Sequence, residues 1–125
     1  MVNEELREKH FAQITDERAR DAYDMLCDAC DRRPDGLTEA DQMMIRDVAY
    51  SEQVKGMLMA DILVRGIGTE RYNGRQKYWQ DNKSLANYRN FCESQRKLLA
   101  ELKLTPNSRK AAAVEIDDDF DSFPD

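Results

Sequence analysis

LTEADQMMIRDVAYSEQVKGMLMADILV, residues 37–64, decides how this chain folds. Thr38 can cap a helix N-terminus. Asp41, three residues on, can return a bond to the cap, giving a capping box with Asp in the usual Glu place. From there to Val64 no Pro occurs, and Gly appears only at 56. The stretch predicts about 26 helical residues, or roughly 39 Å at 1.5 Å per residue. Sixteen of the 28 residues are apolar, and they fall on several faces. Met44, Val48, Leu58 and Ile62 share one face, Ile45, Ala49, Met59 and Leu63 a second, and Tyr50, Val54 and Met57 a third. A helix apolar on more than one side needs more than one neighbour. The whole chain has 125 residues, enough for one domain with a modest core. It has few spare elements to cover such a rod, so burial against other copies is expected.

On the N-terminal side, residues 1–14 lack a clear period and read as a short arm or frayed helix. Thr15 offers an N-cap, followed by Asp16 and Glu17 where the helix dipole favours acids. Ala19, Ala22, Tyr23, Leu26, Ala29 and Cys30 recur at helical spacing, and Pro34, Asp35 and Gly36 end that helix. On the C-terminal side, Gly66 and Gly68 stop the rod. TERYNGRQKY follows, and its Asn73-Gly74 predicts a type I′ turn, which needs positive φ at both central residues. With Tyr72 and Tyr78 supplying β-propensity, 69–79 reads as a β-hairpin. Residues 83–103 predict another helix. Leu85, Tyr88, Cys92, Gln95, Leu99 and Leu102 follow the alternating three-and-four spacing of a packed seam, which Phe91 and Leu98 widen. In LTPNSRKAAA, residues 104–113, Thr105 and Pro106 predict the start of a short helix. VEIDDDFDSFPD, residues 114–125, is too acidic and short to pack, and disorder is expected.

The expected fold is therefore mainly α. A long antiparallel helical hairpin with a small β-hairpin at its tip forms an oligomerisation core over 37–113. An N-terminal arm and helix over 1–36 precede it, an acidic tail over 114–125 follows, and copies assemble into a ring.

Charge is unevenly spread. The formal net charge is −6. Residues 1–65 sum to −6, residues 66–113 to +6, and the tail holds six acids and no base. A basic region and an acidic tail can each have their own partner. The charged N-terminus MVNEELREKH is no signal peptide, and no apolar run approaches the roughly 20 residues that span a bilayer. A soluble, intracellular, reduced protein with no membrane partner is expected. Cys27 and Cys30 form a lone C-x-x-C, with Cys92 far away and His10 the single histidine. Zinc needs four ligands, so no metal is expected and the pair reads as two small apolar residues in a packed seam. No Gly-rich phosphate loop follows a strand, and no G-x-S-x-G occurs, so neither enzyme activity nor a cofactor is expected.

The basic segment is the candidate DNA-binding surface. The hairpin carries Arg71, Arg75 and Lys77 among Tyr72, Tyr78 and Trp79, and Lys83, Arg89, Arg96, Lys97, Arg109 and Lys110 follow. Such cations neutralise phosphates and release counterions, while aromatics and Arg stack on bases. Ordinary solvation of a helix face is the competing reading, and Trp79 suits a core or interface anchor equally well. In the tail, Phe120 and Phe123 among Asp117, Asp118, Asp119 and Asp121 read as a partner-docking motif with two apolar anchors.

The stretch KSLANYRNFCESQRKLLAELKLTPNSRKAA, with Leu104, Thr105, Pro106 and Arg109, resembles the C-terminal signature of a family of bacteriophage terminase small subunits. The long apolar helix and Gly-containing hairpin ahead of it are similar too, so the resemblance covers roughly 37–112. Lys103 stands where the family usually has Gly, and Lys83 follows Asn82 where it usually has Pro. Many members read DNA with an N-terminal helix-turn-helix. Here residues 1–36 sum to −4, with Arg18, Arg20, Arg32 and Arg33 as the main bases.

The resemblance implies a homo-oligomeric ring in the cytoplasm of the infected bacterial host. It implies that the ring recognises double-stranded viral DNA and presents it to the large terminase subunit, which holds the ATPase and nuclease. A helical DNA-binding regulator, or a helical adaptor with no nucleic-acid role, are the alternatives.

Overall fold

The computed structural model describes residues 1–104 of the chain. Four helices and one hairpin follow in order: α1 (Glu4–Gln13), α2 (Glu17–Asp31), α3 (Glu39–Arg65), β1 (Gly68–Asn73), β2 (Gln76–Asp81) and α4 (Lys83–Glu101). The mainly helical class and the small antiparallel sheet agree with the sequence reading. The expected helix after Thr105 and the acidic tail lie outside the described residues.

The rod begins as expected. The Thr38 side chain accepts from the Asp41 N–H, and the Asp41 carboxylate accepts from the Thr38 N–H. At the other end of the helical hairpin, α4 closes in a Schellman motif. The Lys103 N–H donates to the Ala100 carbonyl, and the Leu104 N–H reaches back to the Leu99 carbonyl, each at 2.9 Å. This loop requires a left-handed residue, and Lys103 adopts it with φ 59°. The position where the resembling family has Gly is thus the one where Gly is conformationally favoured.

The core sits at one end of the molecule. Ile14, Tyr23, Cys27, Cys30, Ile45, Ala49 and Leu102 are fully or almost fully buried together. They come from the end of α1, from α2, from the first half of α3 and from the last turn of α4. Cys27 and Cys30 are packed there as the spacing predicts, and burial pushes the Cys27 thiol up to about 12.

Three expectations are corrected. The first concerns residues 1–14, read as a short arm or frayed helix, which form a full helix docked on the core. No apolar stripe announced it, because its docking is largely polar. The Gln42 side-chain amide grips the Asn3 backbone from both sides, donating to its carbonyl and accepting from its N–H at 3.0 Å each. Gln42 Nε2 also donates to the Tyr23 hydroxyl, which lies 2.7 Å from His10 Nδ1. Arg20 bonds the Phe11 and Ile14 carbonyls at the open end of α1.

The second concerns the cap of α2, which is Asp16 and not Thr15. The Asp16 carboxylate accepts from the Ala19 N–H, while the Thr15 N–H is taken by Gln53 of α3. The third concerns the hairpin turn, which is Gly74-Arg75. Asn73 pairs with Gln76 at the strand ends. Gly74 has φ 64°, whereas Arg75 is absent from the non-Gly residues with positive φ. That is the sign pattern of a type II′ turn, with Gly first, and it needs one left-handed residue where a type I′ turn needs two.

From the core, α3 and α4 run out side by side as an arm. Gln95 of α4 donates to the Val48 carbonyl and the Glu52 carboxylate of α3, and nearer the tip Ser84 Oγ donates to Asp61. The seam residues Leu85, Tyr88, Cys92 and Leu99 are half-buried against α3, as the spacing predicts. The hairpin stands at the tip with nearly every residue exposed.

Candidate nucleic-acid interface

The junction between arm and hairpin is fixed by one carboxylate. Asp61 receives two hydrogen bonds from Arg65, at 2.6 and 2.8 Å, one from Ser84 Oγ at 2.6 Å and one from Asn82 Nδ2 at 3.2 Å. The Arg65 bonds above all, and then the Ser84 hydroxyl, hold the Asp61 carboxyl well below the usual carboxylate range. Asn82 has three roles here. Its side chain caps α4 by accepting from the Ser84 N–H, its amide donates to the Gly66 carbonyl, and its own N–H donates to the Ile67 carbonyl. This clasp ties the end of α3 to the start of α4 and aims the hairpin between them. Sequence reading missed it, because the bonds that tie α3 to the start of α4 join residues 16 to 23 positions apart and carry no local signature.

Strand pairing divides the hairpin into two faces. Glu70↔Trp79 and Tyr72↔Lys77 share one face, and Arg71↔Tyr78 lies on the other. Trp79 lies over Gly68. A Cβ added at Gly68 would sit 2.5 Å from the indole ring, so only glycine lets the ring lie there. The indole N–H donates to Asp81. Trp79 nonetheless stays 55 % exposed, so it is no core residue of the single chain.

The predicted cations are spread over this tip and the outer side of α4. Arg71, Arg75, Lys77, Lys83, Arg89, Arg96 and Lys97 are all exposed. The structure brings Arg71 and Lys83 to one cleft of about 230 Å³ between hairpin and α4, together with Arg65. Lys77 leans over the Tyr72 ring at 5.9 Å. Arg89 and Arg96 are seven residues apart and share one flank of α4, and Lys97 points from another. Arg96 pairs with Glu93 at 3.3 Å. The other six have no acidic partner among the described residues. Arg109 and Lys110, and the docking candidates Asp117, Asp118, Asp119, Phe120, Asp121 and Phe123, lie outside the described residues.

The N-terminal bases are differently employed. Arg20 closes α1. Arg33 donates to the Leu102, Gly36 and Cys30 carbonyls and pairs with Asp41 at 2.6 Å, joining three helix ends. Two of the four bases available to an N-terminal DNA reader are thus held by the fold.

A second surface lies on α3. Beyond Gln53, Val54, Leu58 and Ile62 stay half-buried, while Met57 is 68 %, Leu63 81 % and Val64 86 % exposed. A groove of about 840 Å³ runs there, floored by Gly56, Met57, Met59 and Ala60. Among the described residues, no cluster of three or more His, Cys, Asp or Glu side chains could hold a metal ion. No described helix is long and apolar enough to cross a membrane.

Comparison with known proteins gives one match. Residues 19–119 fit the family model described as phage terminase, small subunit. No curated protein and no solved structure matches the chain.

Proposed function

Because the chain belongs to the phage terminase small-subunit family and so has its role in phage DNA packaging, we propose that it is a non-catalytic ring subunit. The ring recognises double-stranded viral DNA and presents it to the large terminase subunit, in the cytoplasm of the infected bacterium. The observation that carries this reading is the exposed set Arg71, Arg75, Lys77, Lys83, Arg89 and Lys97. Exposed cations with no ion-pair partner among the described residues are available to phosphates, and repetition around an oligomer multiplies them. The uncovered flank of α3 supports self-association, since water-exposed apolar patches of this kind mark interaction surfaces. The tail Asp117–Asp121 with Phe120 and Phe123 supplies a separate acidic, aromatic handle for the large subunit.

The test is a titration of duplex DNA at several salt concentrations. Affinity should fall steeply with added salt, the slope growing with the number of phosphates contacted. Glutamate at Arg71 and Lys83 should weaken binding across all sequences. Binding that ignores salt, or survives both replacements unchanged, would remove the DNA role and leave the adaptor reading.

A further inference from the structure

One flank of α3 changes state along its length. Near the base, Ile45 and Ala49 are buried beneath α2. Gln53 marks the limit of that cover, because its side chain holds the first backbone groups of α2, the N–H of Thr15 and of Asp16. At the same helical spacing the flank continues through Gly56, Ala60 and Leu63, flanked by Met57 and Val64, and these are exposed. The bare part therefore continues an interface already formed within the chain. The β-ribbon presents the opposite problem. A lone two-stranded hairpin is marginal in water, yet this one exposes both Tyr72 and Trp79 on a single face, Tyr72 opposite Lys77 and Trp79 opposite Glu70 with its ring over Gly68.

We propose that these two surfaces cover each other between copies: the Tyr72–Trp79 face of one subunit's hairpin docks in the Gly56–Ala60 groove of the next. This inference rests on the self-association reading above and names its two halves. The shapes fit. Gly56 and Ala60 leave a hollow bounded by Met57 and Met59, and thioethers make favourable contacts with aromatic rings. The charges fit. Arg18 on the groove rim and Glu70 on the docking ribbon face both lack an ion-pair partner among the described residues, whereas Glu52 and Lys55 of the rim already pair with each other and Asp16 caps α2. Because the two surfaces are different patches of one chain, the contact runs head-to-tail from copy to copy, and it forms a ring where the rotation between copies closes. Docking withdraws Lys77 from the phosphate-binding set, while the other ribbon face, with Arg71, and the Arg75 turn stay free for nucleic acid.

The experiment uses two full-length variants, each breaking one half. Ala60→Glu fills the groove, and a Tyr72→Ser, Trp79→Ser double variant strips the ribbon. All these positions are exposed, so helix content by circular dichroism should be unchanged. Wild type should scatter light as a multiple of 14.5 kDa, and each variant alone as a single chain. Mixed together, the two variants should form a dimer and stop, since one supplies an intact ribbon and the other an intact groove.

Trp79 is the only tryptophan, so its emission should be redder in Ala60→Glu than in wild type, although the ribbon itself is untouched. A wild-type monomer would overturn both this inference and the self-association reading. A wild-type oligomer with both variants still assembled would overturn this inference alone. Monomeric variants that fail to pair on mixing would also overturn it, and a ribbon variant that stays assembled while Ala60→Glu falls apart would point instead to contact of α3 with its own copy.

Discussion

The two halves of α3 have much the same sequence character and opposite surroundings. Its first half lies in a base where α1, α2 and the end of α4 enclose Ile45, Val48 and Ala49. Its second half forms one side of an arm two helices thick, where α4 covers Leu58 and Ile62 partly and, among the described residues, Leu63 and Val64 stay exposed. The base is held by burial and by polar residues inserted between helices. The arm is held by a seam and by the Asp61 clasp at its tip. A chain of this length can close one core, and the apolar side chains left beyond it are surface available to partners.

The largest test of that contrast pairs two truncations on the same helix. Ile45→Ala should destabilise by about 2–5 kcal/mol, as a filled core site becomes a cavity. Leu63→Ala, at an 81 % exposed position, should cost the single chain under about 0.5 kcal/mol and act on assembly mass instead. Denaturant unfolding and light scattering of both proteins would check this, and equal stability losses would erase the distinction between base and arm.

Arg33→Met comes next. It leaves the Leu102, Gly36 and Cys30 carbonyls without this donor, and a buried polar group stripped of its partner costs about 1–3 kcal/mol. Loss of Arg33 should loosen the last turn of α4 first, which amide exchange near Leu102 would reveal.

A smaller effect should have the opposite sign. Lys103→Gly relieves a left-handed backbone that costs a side-chain-bearing residue about 1–2 kcal/mol. Part of this is returned as extra freedom of the unfolded chain, so a gain of under about 1 kcal/mol is expected in thermal unfolding.

The gentlest effect is a drift with pH. Burial, with Arg46 nearby, lowers the pKa of His10 from its ordinary 6.5. As pH falls through 6.5, the unfolded chain takes up a proton that the folded chain resists, so stability declines toward the lower folded value and is restored above it. His10→Gln should flatten the stability profile between pH 7 and 5. A decline that persists in this variant would assign it to another group.

Much of this architecture was readable in advance, for local reasons. Thr38 and Asp41 sit three apart and must meet once the helix starts. The seam of α4 follows from spacing alone, and so does the pairing of Cys27 and Cys30 in one packed face. The misses also have physical causes. α1 was not legible because its anchors, His10 to Tyr23 and the Asn3 backbone to Gln42, join residues 13 and 39 positions apart. The hairpin was legible, but not its turn, because Asn73-Gly74 can also serve as the first two of four turn residues. Of the candidate site, the cations could be named from composition, whereas the cleft that joins Arg71 to Lys83 could not.

Sequence by itself determined the capped start of α3, the seam of α4, that a ribbon stands between them, and that α3 carries apolar residues on more than one face. Those properties depend on neighbours within a few residues and on totals. Only the tertiary structure decided which part of that surface stays bare. α2 reaches Gln53 and no farther, and that limit is set by where three helices can close around one core.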